Sequence, residues 1–256
     1  MAIVQLSNNQ LQVAIDVSHG ARISSIIASG VELLVTEAED TLNWGAYPMV
    51  PYAGRVRDGV FMFQGLQYEL PLRPQSSHAM HGTVLDREWT SVASSATSAS
   101  FTSDLGTDWP FAGSITHTVS LDEGSLTSTL TLTASEPMPA QVGWHPWFRS
   151  PRNVNHHFDA MLQRDVSGLT TTQEVPVPKR KYDDCFVRPH SMPQLTIDGI
   201  TIEVSSDCTH WVMYNSPDGR MCSEPQSGPP NGINTKPYTV IPSKPLERWM
   251  KIQVLS

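Results

Sequence analysis

Hydrophobic and polar residues alternate along most of this chain. Leu11, Val13, Ile15 and Val17 are separated by Gln12, Ala14 and Asp16. Ile115, His117, Val119 and Leu121 share one parity against Thr116, Thr118 and Ser120. The run Leu126 to Thr133 reads Leu-Thr-Ser-Thr-Leu-Thr-Leu-Thr, with its leucines on one face and its threonines on the other. Successive side chains of a strand point to opposite faces, so a period of two predicts half-buried strands. Met250, Ile252 and Val254 predict one more near the end of the chain.

Turn signals divide these runs. Gln64-Gly65 lies between Phe61, Phe63 and Leu66, Tyr68, Leu70, and Asp198-Gly199 lies between 195–197 and 200–204. Both read as two-residue hairpins. The Ser/Thr-rich stretch Thr90 to Ser103 predicts a polar edge strand, and Val175 to Arg180 an extended surface loop. No helical period runs beyond two turns; the nearest segment is Ala38 to Thr41. No repeat of 20 to 50 residues is present. The expectation is an all-β fold, a large antiparallel β-sandwich or barrel, as one domain over residues 1–256.

Composition narrows the functional classes. A chain of 256 residues with 39% hydrophobic content supports a substantial core. The net charge of −8 and the lack of any Lys/Arg cluster argue against nucleic acid. No apolar run approaches the roughly 20 residues of a membrane helix. The N-terminal residues lack the cationic start and apolar stretch of a signal peptide. Cys185, Cys208 and Cys222, odd in number and widely spaced, read as reduced thiols, so the expected location is cytoplasmic. Their spacing is not that of a zinc site, and the pairs His78/His81 and His156/His157 lack a nearby third ligand. No metal or other cofactor is expected. A phosphate-binding glycine loop and a Gly-x-Ser-x-Gly elbow are also absent from the sequence.

Candidate chemistry is concentrated in a few segments. In Gln141-Val-Gly-Trp-His-Pro-Trp-Phe148 one histidine stands between two tryptophans and before a proline. Proline biases its predecessor toward extended backbone, which predicts a strand end or loop for His145. Trp144 and Trp147 read as walls or a stacking platform beside it, suited to the apolar face of a sugar. Glu224-Pro225 repeats the X-Pro arrangement with a carboxylate, in a setting rich in Gly and Pro. Lost solvation there would raise the carboxyl pKa toward the range of a general base. Arg55, in Gly54-Arg-Val56, offers five fixed donors for adjacent hydroxyls, whereas Arg57 reads as a surface charge. His81, before Gly82, is a further candidate. Asp183 and Asp184 are adjacent, so on an extended backbone they point to opposite faces and at most one of them enters a cleft.

These segments, in this order and almost end to end, resemble the aldose 1-epimerase (galactose mutarotase-like) family. Gly20-Ala-Arg-Ile-Ser-Ser25 is similar to its first strand turn. Gly54-Arg-Val56 resembles its Asn-Arg-Ile element, and Met80-His-Gly82, with Trp89 after it, its His-Gly element. His145-Pro-Trp-Phe148 resembles its His-Pro-Tyr-Phe element, and Cys222-Ser-Glu-Pro-Gln226, followed by Asn231 and Asn234, its Glu-Pro-Gln element. The resemblance implies a β-supersandwich that interconverts the α and β anomers of a free aldose without a cofactor. It implies Glu224 as general base, His145 as general acid, Arg55 and His81 as sugar ligands, and Asp183, with Asp184 as competitor, on the hydroxyls. Gly54 and Trp147 depart from the family's asparagine and tyrosine, which bears on the preferred sugar and not on the reaction. The partner expected is a monosaccharide bound by a monomer or homodimer. Two other readings stand beside it: a non-catalytic sugar-binding domain on the same fold, and a glycoside hydrolase or lyase pairing Glu224 with an aspartate.

Overall fold

The computed structural model describes residues 2–215 and 219–255. Two long strands, Asn153–Arg164 and Asp183–Ile197, run antiparallel to one another through bulged register shifts. The second of them forks the sheet. Residues 183–187 pair with His210–Tyr214, while residues 194–197 pair with Ile200–Ser206. From the first branch the pairing continues through Arg220–Gln226, Gly143–Arg149, Ala46–Met49, Arg22–Ala28, Leu11–Asp16 and Ile3–Ser7. From the second it continues through Leu246–Val254, Ser125–Ala134, Gly113–Asp122, Ser98–Asp104 and Thr90–Ser94. Every one of these pairings is antiparallel.

The two branches share a continuous hydrophobic core, with Val13, Ile15 and Trp144 from one and Ile115, Leu126 and Leu130 from the other. The alternation of the sequence is what makes this possible. Ile115, His117, Val119 and Leu121 are all buried, and so are Leu126, Ser128, Leu130 and Leu132 on the neighbouring strand. A polar chain crosses this core and is fully satisfied. The Trp144 indole N–H donates to Ser128 Oγ at 2.7 Å. The Ser128 hydroxyl lies 2.7 Å from His117 Nε2, and His117 Nδ1 lies 3.0 Å from the Ala21 carbonyl. Since the carbonyl can only accept, Nδ1 carries the proton and Nε2 accepts from Ser128. Burial pushes His117 down to about 4, in keeping with a neutral ring.

Both expected hairpins form. Phe63 faces Leu66 across Gln64-Gly65, and Ile197 faces Ile200 across Asp198-Gly199. All four turn residues have positive φ, between 46° and 91°, as a type I′ turn requires. The stretch Thr90 to Ser103, expected as one polar edge strand, is instead two paired strands: Thr90–Ser94, exposed along its whole length, and Ser98–Asp104, which buries Ala99 and Phe101 in the core. Among the described residues, helix is confined to single turns, Thr41–Asn43, Arg57–Gly59 and Gly232–Thr235. The short turn near Ala38 to Thr41 therefore begins at Thr41, where Asp40 caps it through Leu42 N–H. Among the described residues, no helix is long and apolar enough to cross a membrane.

Candidate active site

The site is a cross-strand row on the face of the first branch that turns away from the core. Gly143 lies opposite Gln226 and Trp147 opposite Cys222. Between those pairs the ladder is interrupted, because Pro146 and Pro225 have no N–H to give it. The register is the same on either side of the gap, which sets His145 opposite Glu224. Tyr47 lies opposite His145 on the next strand. Tyr47-Pro48, His145-Pro146 and Glu224-Pro225 are thus three X-Pro pairs side by side. The strand placement corrects one expectation: His145 lies inside the strand Gly143–Arg149, not at a strand end or in a loop.

His145 Nε2 is 3.3 Å from Glu224 Oε1, and both side chains are almost wholly buried at 7% and 3% exposure. The Gln226 amide donates to the other carboxyl oxygen, Oε2, at 3.2 Å. His145 is stacked with Tyr47 (centroids 4.9 Å, planes 23° apart) and with Trp147 (5.2 Å, 28°). His81 meets it edge-on at 5.0 Å. Burial pushes the Glu224 carboxyl well above the usual carboxylate range, and the nearby Asp183 adds to this. Burial pushes the His145 imidazole down to about 3, with Arg55 adding to the effect. Both directions have one cause, the loss of water around a charge. Both directions favour the uncharged forms of the two groups, which lie 3.3 Å apart.

Around this pair lies a cleft of about 180 Å³, lined by Tyr47, Arg55, His81, Trp147, Arg164, Asp183 and others. The residues singled out from the sequence divide within it. His145, Glu224, Arg55, His81, Asp183 and Trp147 all line the cleft. Trp144 does not. Strand alternation points it to the opposite face, where it is fully buried in the core, so it is no wall or platform for a ligand. Asp184 is likewise turned away, nearly buried, and held by Arg180 at 2.9 Å and Arg164 at 3.3 Å. Asp183 is the one that enters, with Arg164 Nη2 at 3.0 Å. Arg57 pairs with Asp165 and does not reach the cleft.

Local backbone explains how His81 and Arg55 arrive. Arg55 pairs with Met80, and the His81 N–H donates to the Gly54 carbonyl at 2.9 Å. A Cβ at Gly82 would come within 1.9 Å of the Val50 carbonyl oxygen, so only glycine lets this turn pack so closely. Gly54 has φ +68°, and a Cβ there would meet Pro230 Cβ at 2.6 Å. The space in which a longer residue would stand is therefore taken by Pro230, itself a cleft residue.

Several cleft residues were not singled out from the sequence: Tyr47, Arg164, Asn43, Asp40 and Tyr214. Tyr47 carried a usable signal, the same X-Pro arrangement as His145 and Glu224. Arg164 and the 40–44 segment carried none: Arg164 is placed by its ion pairs with Asp183 and Asp184, and the segment by Arg22, Tyr47 and Trp147. That segment is pinned from beneath. The Tyr47 hydroxyl and the Trp147 indole N–H both donate to the Leu42 carbonyl, at 3.1 and 2.6 Å. The buried Arg22 guanidinium donates to the carbonyls of Thr41 (2.7 Å), Trp44 (3.1 Å) and His19 (3.0 Å).

One group in the site has metal-ligating chemistry. His145, Cys222 and Glu224 present one ligand atom each, all within 4.8 Å of one another and all buried. Cysteine spacing in the sequence does not show this, since only one of the three ligands is a cysteine.

The sequence profile of the aldose 1-epimerase family matches residues 2–249. YihR, an uncharacterized protein of Escherichia coli strain K12, is 24% identical over 253 residues, covering 86% of this chain and 82% of its own length. A galactose 1-epimerase from Lactobacillus acidophilus NCFM superposes with a TM-score of 0.83 at 17% identity, over 98% of this chain and 93% of the other. A GalM/aldose epimerase homologue from C. elegans superposes with a TM-score of 0.87 at 14% identity, over 99% and 98%. At such identities the structural likeness speaks to the fold, the forked antiparallel supersandwich described above.

Proposed function

The chain belongs to the aldose 1-epimerase family, and on that premise we propose that it interconverts the α and β anomers of a free aldose, with Glu224 as base and His145 as acid. The observation that carries this reading is the buried contact of 3.3 Å between His145 Nε2 and Glu224 Oε1 in a cleft. Opening a hemiacetal requires removal of the proton on the anomeric hydroxyl and delivery of a proton to the ring oxygen. In the resting pair the proton is on Glu224. Its transfer to His145 gives a carboxylate and an imidazolium, a base and an acid side by side and desolvated. Glu224 then takes the anomeric hydroxyl proton as His145 protonates the ring oxygen, and the C1–O5 bond breaks. Rotation about C1–C2 turns the other aldehyde face to the ring hydroxyl. Closure reverses both transfers, and the pair ends with the one proton it began with.

The remaining cleft residues supply grip. Arg55 and Arg164 present donors, Asp183 an acceptor, and His81 a neutral ring edge, because burial holds its pKa well below the usual histidine value. Trp147 forms a wall stacked on His145, with the Arg220 guanidinium 4.9 Å from its ring centre. The partner of Glu224 is a histidine, which favours mutarotation over two-carboxylate glycoside hydrolysis. The test is anomer exchange followed by NMR from fresh α-aldoses across hexoses, pentoses and acidic sugars. Glu224→Gln and His145→Ala are each expected to lower kcat at least about 100-fold. Near-normal turnover in either variant removes that residue from the mechanism, and no acceleration with any sugar removes the activity.

A further inference from the structure

We propose that Cys222, His145 and Glu224 form a binding site for a thiophilic divalent cation, with zinc as the best fit, and that this ion competes with the sugar for the same two side chains. Register creates the site. Cys222 and Glu224 are alternate residues of one strand and so share a face, and Trp147 lies opposite Cys222, two residues from His145. The three ligand atoms lie within 4.8 Å of one another. A tetrahedral zinc asks for about 3.4 Å between nitrogen and oxygen ligands and about 3.6 Å from either to sulfur. The His145–Glu224 separation, 3.3 Å, already meets the first of these. Cys222 closes the rest by a side-chain adjustment of at most about 1.2 Å, the difference between 4.8 and about 3.6 Å.

The chemistry of the donor set is specific. A thiolate and an imidazole suit zinc and exclude magnesium or calcium, which take oxygen shells. One thiolate and one carboxylate neutralise a dication, so the ion offsets the burial that disfavours each anion alone. Arg55 and Arg164 oppose the ion across the cleft and Asp183 favours it. Three protein ligands leave a fourth position for water or a sugar hydroxyl. Mutarotation as proposed has no use for Cys222, which is fully buried two residues from Glu224 on the same strand. An ion bound here occupies His145 Nε2 and Glu224 Oε1, the atoms that move the protons. The competition rests on the proposed function; the metal site does not.

The experiment uses cobalt(II) and zinc(II) on the intact protein. Cobalt is expected to give a thiolate charge-transfer absorption that zinc displaces and that Cys222→Ser abolishes. Zinc is expected to inhibit anomer exchange competitively with sugar. Cys222→Ser is expected to keep its anomer exchange and to bind zinc more weakly by at least the roughly 10–100-fold that loss of an outer-shell partner alone costs. His190→Ala is the control for surface binding, since His190 lies against His157 at 4.6 Å and beside Asp159. Absence of the thiolate band in the wild-type protein overturns the proposal without recourse to any variant. So does zinc inhibition that Cys222→Ser leaves unchanged. A protein with no anomer exchange at all fails the mutarotase reading, and the absorption measurement still decides the metal site.

Discussion

At the scale of single residues, the site is a histidine fixed by rings. His145 stacks with Tyr47 and Trp147, and both of those are tied to the Leu42 carbonyl. Misplacement of a reacting group by about 1 Å can cost about 100-fold in rate. Tyr47→Leu, which removes the stack, is expected to lower kcat by about tenfold to 100-fold. Tyr47→Phe keeps the ring and loses one hydrogen bond, so its kcat should stay within a few-fold; equal loss in both variants would assign the effect to the hydroxyl. The pH profile follows from the same pair. Adding a second proton means charging His145, whose value burial has lowered from 6.5 to about 3. The ratio kcat/KM reports the free enzyme, so it is expected to stay level as pH falls through 6.5 and to drop only well below it. An acid limb with its midpoint near 6.5 would mean that His145 titrates as an ordinary exposed imidazole.

At the scale of elements, the cleft depends on one buried cation outside it. Arg22 is fully buried on the strand Arg22–Ala28 and holds the 40–44 segment through the Thr41 and Trp44 carbonyls. Its guanidinium also lies 4.1 Å from the Trp44 ring centre. Asp40, Leu42 and Asn43 from this segment line the cleft. Arg22→Ala removes part-buried hydrogen bonds from a charged donor to the carbonyls of His19, Thr41 and Trp44, so a loss of about 3 kcal/mol is expected by denaturant unfolding. In the fraction that folds, KM should rise more than kcat falls. A kcat effect alone would place Arg22 in the chemistry rather than in positioning.

At the scale of the whole molecule, buried titratable groups couple stability to pH. His81, His117, His145, His156 and His210 are all held below 6.5 by burial. As pH falls through 6.5 the unfolded chain binds protons at these positions and the native protein does not, so stability falls between about pH 6.5 and 4. Glu224 has the opposite sign. Its raised value lets the native state keep a proton that the unfolded chain releases above 4.5, so its cost grows as pH rises. Five groups outweigh one, and Tm is expected to be lower at about pH 5 than at about pH 7. His117→Gln, far from the cleft, should flatten that dependence by about one proton. A Tm that rises on acidification would contradict the neutral buried histidines.

The sequence alone determined the architecture and singled out His145 and Glu224, the two residues proposed as acid and base. Period-two alternation is a local property, and so are Gln-Gly and Asp-Gly turns, which is why the strands at 11–16, 113–122 and 125–134 and both hairpins were legible. His145 and Glu224 were legible because each is an X-Pro residue in a segment of unusual composition. What only the tertiary structure decided was adjacency and face. Trp144 and Trp147 look alike beside His145, yet alternation sends one to the core and the other to the cleft. Which parity faces the core depends on what the opposite sheet offers, here Ser128 and its neighbours. Asp183 and Asp184 were separated for the same reason. Tyr47 and Cys222 came beside His145 and Trp147 through register with the strand Gly143–Arg149, and Arg164 reached the cleft through its ion pairs with Asp183 and Asp184; such partners are not written in either segment alone.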